Sequence, residues 1–276
     1  MREPLLNRSY ISIGGVGGSG TRLVASLLIS SGLQIGRDIN ASNDTLSFTL
    51  FFKDRAILTA SEDEFDRRLT IFLKHLNAVQ LSAHDLEFAG SLSIKDRVQH
   101  PADWLAERVR RLKCPPSIPV SNAFLGWKEP NTHVIVERLL GVLPSMKYIH
   151  VVRHGIDMAY SSNQNQVQFW DIAIPAGTLI TPEQSLGWWC KVQKRILSLR
   201  DRYPERILIL RFEDLLRSPE DIVKQLLEFC EADPRLMNLG DITSRVQSER
   251  VTARGYGELR LDVKIEQIEI LRAFGY

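Results

Sequence analysis

Tyr10-Ile11-Ser12-Ile13 runs directly into Gly14-Gly15-Val16-Gly17-Gly18-Ser19-Gly20-Thr21, and an apolar run from Leu23 to Ile29 follows. The β-branched residues read as a strand, the glycines as a turn, and Leu23, Leu27 and Leu28 as one face of a helix over Thr21 to Ser31 that Gly32 terminates. A strand that feeds a glycine-rich turn opening a helix presents backbone N–H groups and the positive end of the helix dipole to an anion. Five of the seven residues from Gly14 to Gly20 are glycine, more than a simple tight turn needs, so the stretch is expected to cradle a phosphate.

The order follows the nucleotide-triphosphatase loop G-x-x-x-x-G-K-[ST], with Gly15 and Gly20 at its two glycines, but Thr21 stands where that motif has its lysine. A loop without that lysine suits a shorter, less charged ligand, or one whose cation comes from elsewhere in the chain. Such a cation does not come from bulk charge: 35 basic against 33 acidic residues in 276 leave a net of +2, which argues against nucleic acid or an anionic membrane as main partner. Cys114, Cys190 and Cys230 are widely separated and odd in number, which fits a reducing, cytoplasmic setting better than a disulfide or zinc framework. No stretch has the length and apolarity of a signal peptide core or a membrane span.

Further strands are expected at Ala123 to Lys128, Lys147 to Val152 and Ile207 to Phe212. Helices are expected at Thr132 to Leu143, after Arg153-His154-Gly155 as far as Ser161, at Pro182 to Arg202, and from a Ser218 cap with Pro219 in the first turn through Phe229. Strands alternating with helices predict one α/β domain over residues 1–276 with a doubly wound, P-loop-like sheet of central parallel strands flanked by helices. Residues 38–111 read as a mostly helical insertion that covers a sheet edge and contributes to an acceptor site, and Phe48, Phe51 and Phe52 within it suit either core or contact surface.

In such sheets ligands bind beyond the carboxyl ends of the strands, where the glycine turn, the Lys128 turn and the Arg153 turn are expected to converge. Tyr148-Ile149-His150-Val151-Val152-Arg153-His154-Gly155-Ile156-Asp157-Met158-Ala159-Tyr160-Ser161 resembles the 3′-phosphate-binding segment of the sulfotransferases: an apolar strand, Arg, a few variable residues, Asp, and Ser eight after the Arg. The glycine turn is similar to their 5′-phosphosulfate loop, which also lacks the lysine, and Phe212-Glu213-Asp214-Leu215 is similar to their Tyr-Glu-Asp-Leu segment. Lys128-Glu129-Pro130 resembles the Lys-acidic-Pro turn of the tyrosylprotein branch and of many bacterial members.

That resemblance implies a sulfotransferase with 3′-phosphoadenosine 5′-phosphosulfate as donor, no metal, and a small-molecule or glycan acceptor offering a hydroxyl or amine. It implies Gly17, Gly18, Ser19, Gly20, Thr21 and Arg22 around the 5′-phosphosulfate, Arg153 and Ser161 on the 3′-phosphate, Phe212 beside the adenine, and Arg254 as a late closing residue. Lys128 is implied at the bridging oxygen of the donor, where charge gathers as the sulfuryl group leaves. Asp44 is the first candidate for the base that takes the acceptor proton, and His84 or Asp85 the second. Two departures stand out: Gly18 replaces the tyrosylprotein branch's basic residue, so that charge would come from Arg22, and Arg250 and Arg254-Gly255 replace a late Arg-Lys-Gly element. The competing expectations are a magnesium-dependent nucleotide or small-molecule kinase and a non-catalytic nucleotide-binding module.

Overall fold

The computed structural model describes residues 2–114, 124–174, 177–233, 246 and 261–276. Among the described residues four parallel strands form the sheet: β1 (Tyr10–Gly15), β2 (Gly126–Lys128), β3 (Met146–Val152) and β4 (Ile207–Arg211), in the order β2-β1-β3-β4. The chain passes from β1 to one side and then to the other, so the turn after β1 sits at the topological switch point, where open α/β sheets hold their ligands.

The helices are α1 (Arg2–Leu6), α2 (Thr21–Ser30), α3 (Leu46–Phe52), α4 (Glu62–Leu76), α5 (Ala83–Ser91), α6 (Ala102–Leu112) and α7 (Thr132–Val142). After β3 come α8 (Gly155–Ala159), α9 (Asn165–Trp170), α10 (Pro182–Arg202), α11 (Phe212–Arg217), α12 (Pro219–Cys230) and α13 (Ile265–Ala273). Side chains alternate across the pleat, and both faces are covered. Ile11, Ile13, Ile149 and Val151 pack with Leu23, Leu27 and Leu28 of α2 and with Val223 and Leu226 of α12. Tyr10, Trp127 and Tyr148 pack in a second cluster with α3, α4, α7 and α10.

Phe48, Phe51 and Phe52 are at most 2% exposed, so they are core and not contact surface. Phe48 stacks on Trp127 of the edge strand at 5.9 Å between ring centres, and Phe72 of α4 meets the same indole edge-on at 5.4 Å. The helices of residues 38–111 thus cover β2 by sharing its core.

Four local expectations are corrected. The second strand is only three residues long, with Leu125 bridging Gln34 before it. The last strand stops at Arg211, and Phe212 opens α11. The helix after Arg153 ends at Ala159, because Gln164 Nε2 donates to the carbonyls of Met158 and Ser161 and draws the chain into a turn, so Ser161 lies beyond it. Ser218 precedes Pro219 as expected, but its side chain makes no cap bond, its backbone at φ −132° and ψ 65° departing from the extended conformation of a cap.

Candidate active site

The carboxyl ends of the strands deliver their turns to one cleft with a cavity of about 260 Å³. The glycine turn and first turn of α2 supply Gly17, Gly18, Gly20, Thr21 and Arg22 to its wall; Lys128, Arg153 and Phe212 come from the other three strand ends, and Asp44 from residues 38–111. The three turns expected to converge do so.

Gly18 and Gly20 both have φ of +95°, a left-handed conformation open to glycine at little cost. At Gly20 a side-chain carbon would also lie 2.1 Å from Phe212 Cδ2, so the aromatic wall requires glycine there. Gly20 caps α2 without a side-chain hydrogen bond, leaving the helix to open on the cleft through its backbone. Ser19 is not among the residues lining the cavity: it is 1% exposed, and its Oγ, which has no hydrogen-bond partner in the protein, lies 2.7 Å from where a side-chain carbon of Gly15 would stand, on the protein side of the turn. Behind the turn, Gln166 Nε2 donates to Gly15 C=O at 3.1 Å while its Oε1 meets His133 Nε2 at 3.1 Å.

Lys128 is 2% exposed, and a buried ammonium demands partners. Its Nζ donates to Asp44 Oδ1 and, at 3.0 Å, to Ser42 C=O. Two bonds fix this meeting: Thr45 N–H donates to Lys128 C=O at 2.7 Å and Lys128 N–H to Thr45 Oγ1 at 3.2 Å. Asn40 holds the acid, its Oδ1 accepting from the N–H groups of Ser42 and Asp44 at 2.9 Å and its Nδ2 donating to Asp44 Oδ2 at 2.8 Å. Glu129, the sequence neighbour of Lys128, turns instead into the protein, where it accepts from Asn131 N–H at 2.6 Å and Asn131 Nδ2 at 2.7 Å. Burial raises its pKa above the ordinary carboxylate value, against the opposing pull of Lys53.

Arg153 extends from the end of β3, its Nε and Nη2 donating to Asp157 Oδ2 at 3.1 and 3.0 Å, with the guanidinium 5.5 Å from the centre of the Phe212 ring. Ser161 Oγ accepts from Asn163 N–H at 3.2 Å and lies beside Gly18, 3.7 Å from where a side-chain carbon would stand there. It borders the glycine turn, whereas Asn163 lines the cavity.

His84 and Asp85 are not among the residues of this cleft. Asp85 belongs to the cap of α5, accepting from Ser82 N–H at 3.0 Å and Lys74 Nζ at 2.9 Å; against the penalty of burial these bonds hold its carboxyl below the ordinary value. His84 meets Arg67 on an exposed face. Arg250 and Arg254 lie outside the described residues. Four lining residues were not anticipated: Leu23 and Pro130, which adjoin the predicted helix start and the Lys128 turn, Ser42, which sits in the polar stretch singled out for Asp44, and Asn163, whose position depends on the early end of α8 and leaves no trace in local pattern. Among the described residues no group of three His, Cys, Asp or Glu is placed to hold a metal, and no helix is long and apolar enough to cross a membrane.

The structure is similar to that of the sulfotransferase domain of the Synechococcus PCC 7002 olefin synthase, with 18% identity, a TM-score of 0.55, and 98% of this chain and 95% of that one covered. It is also similar to the sulfotransferase domain from the curacin biosynthetic pathway, with 18% identity, a TM-score of 0.53, and coverage of 97% and 98%. At that identity the likeness shows a shared fold. No curated protein sequence matches the chain at a significant level. The model of the sulfotransferase family matches residues 11–234, a span that takes in the glycine turn, Lys128, Arg153 and Phe212, and the chain accordingly belongs to the sulfotransferase family, whose members transfer sulfuryl groups.

Proposed function

We propose that this chain transfers a sulfuryl group from 3′-phosphoadenosine 5′-phosphosulfate to a hydroxyl or amine of a small-molecule or glycan acceptor, in the cleft just described. The observation that carries the reading is the meeting of a lysine-free glycine turn, Lys128, Asp44, Arg153 and Phe212 around one cavity. The glycine turn and the first turn of α2, which line the cavity, supply backbone donors for a 5′-phosphosulfate. Arg153 offers its guanidinium to the 3′-phosphate, and Phe212 a ring face to the adenine.

In the donor the bond between sulfur and the bridging oxygen breaks as the acceptor oxygen or nitrogen attacks sulfur in line, and the electron pair stays with the 5′-phosphate. Lys128, itself 2% exposed, stabilises that growing charge from a fixed position on the cavity wall. Asp44 accepts the acceptor proton, and Asn40 and Lys128 orient its carboxylate for that role. Residues 38–111 form the acceptor side, since they bring Asp44 and Ser42 to the cavity wall.

A thermal-shift comparison tests the donor class. Adenosine 3′,5′-bisphosphate raises the melting temperature, and ATP with magnesium does so far less. The opposite ranking would support the kinase reading.

A further inference from the structure

The turn that carries Arg153 is gripped from three sides. Trp189 of α10 donates its indole N–H to Arg153 C=O at 3.1 Å. One oxygen of Glu213 accepts from His154 N–H at 2.8 Å, and the other accepts from the Tyr276 hydroxyl at 2.7 Å. The Tyr276 ring in turn packs on His154, 4.5 Å between centres, and lies 4.6 Å below the Arg211 guanidinium carbon. Gly155 leaves no slack, because a side-chain carbon there would stand 3.0 Å from Leu186 and Trp189. Glu213 follows Phe212, the cavity-wall ring that faces Arg153, so a shift of Glu213 moves both the ring and the turn.

We propose that Tyr276 and Glu213 are positioning residues for 3′-phosphate recognition, the tyrosine hydroxyl fixing the carboxylate that sets the Arg153 turn. This rests on the proposed donor site. The clamp touches neither Lys128 nor Asp44, so its loss affects the grip on a 3′-phosphate and not the transfer step.

The test uses Tyr276→Phe, Glu213→Gln, the double variant and Arg153→Ala in the full chain. Calorimetry gives the dissociation constants of adenosine 3′,5′-bisphosphate and adenosine 5′-phosphate, measured well below each variant's melting temperature. The wild type prefers the bisphosphate and Arg153→Ala abolishes the preference. Tyr276→Phe lowers the preference about three- to tenfold by weakening the bisphosphate more than the 5′-phosphate, as expected for a lost hydrogen bond to a charged group. Glu213→Gln lowers it in the same direction by removing the charge that receives the tyrosine hydroxyl, and the double variant is no worse than Tyr276→Phe alone, because both act on the same contact. At saturating donor kcat stays within about twofold, by the same logic of binding lost without transition-state loss. If the preference survives in Tyr276→Phe while Arg153→Ala abolishes it, the clamp is refuted and the donor site stands. If the wild type shows no preference, or Arg153→Ala retains it, the donor reading fails and the clamp with it.

Discussion

Lys128 is a cation with nowhere to go: buried, joined to Asp44 and to a backbone carbonyl, and pointed at a cavity that the glycine turn also lines. Such a charge acts most strongly on a group whose own charge grows during reaction. Lys128→Ala is therefore expected to lower kcat by about a hundredfold or more, the scale of a lost preorganised donor, while the bisphosphate dissociation constant changes by less than about threefold. Steady-state kinetics and calorimetry on one preparation separate the two. Gly20 is constrained in another way, by a left-handed backbone and by the Phe212 ring. Gly20→Ala should cost about 2 kcal/mol or more in urea denaturation, from backbone strain and overpacking, with loss of nucleotide binding as the turn is displaced.

At the scale of elements, the edge strand β2 is short because its work is shared with Thr45, which bonds Lys128 through both backbone groups and gives its hydroxyl to Ile35 C=O at 3.1 Å. Thr45→Val keeps the volume but leaves Lys128 N–H and Ile35 C=O without that hydroxyl, a loss of about 1–3 kcal/mol in denaturant midpoint analysis. Between β3 and its covering helices lie two wholly buried imidazoles, His150 against Gln193 Oε1 at 3.0 Å and His133 against Gln166. Burial pushes them down to about 3 and about 4 from an ordinary 6.5. The unfolded chain takes up protons at the ordinary value, so their contribution to stability is complete above about pH 6.5 and is lost as pH falls through the folded values. Unfolding free energies measured between pH 7 and 4 should decline with a slope approaching about 1.4 kcal/mol per unit for each histidine; a flat profile would contradict buried neutral rings.

For the whole molecule, the helices of residues 38–111 and the sheet share one core, and Phe72 on Trp127 stands at the join. Phe72→Ala should destabilise the entire chain by about 3–5 kcal/mol, as for other buried aromatics, in a single cooperative transition. Two separate melting transitions would mean that the helical segment folds as its own unit. The α/β order, the parallel strands and the glycine turn were legible in sequence because strand and helix periods are local signals read over a few residues. The brevity of β2, the helical start at Phe212 and the early end of α8 were not, since each is set by a partner distant in the chain or by a turn bond such as that of Gln164.

By itself the sequence determined the type and order of elements and marked the glycine turn from Gly14 to Thr21, Lys128, Asp44 and Arg153 as site candidates, all carried by neighbouring residues. The tertiary structure alone decided that Lys128 pairs with Asp44, 84 positions away, and not with adjacent Glu129, that Asp85 serves a helix cap, and that Tyr276 reaches Glu213. The reason is physical: backbone pattern is fixed by short-range sterics and periodicity, whereas the partner of a buried charge is whichever group the folded path brings within hydrogen-bond reach.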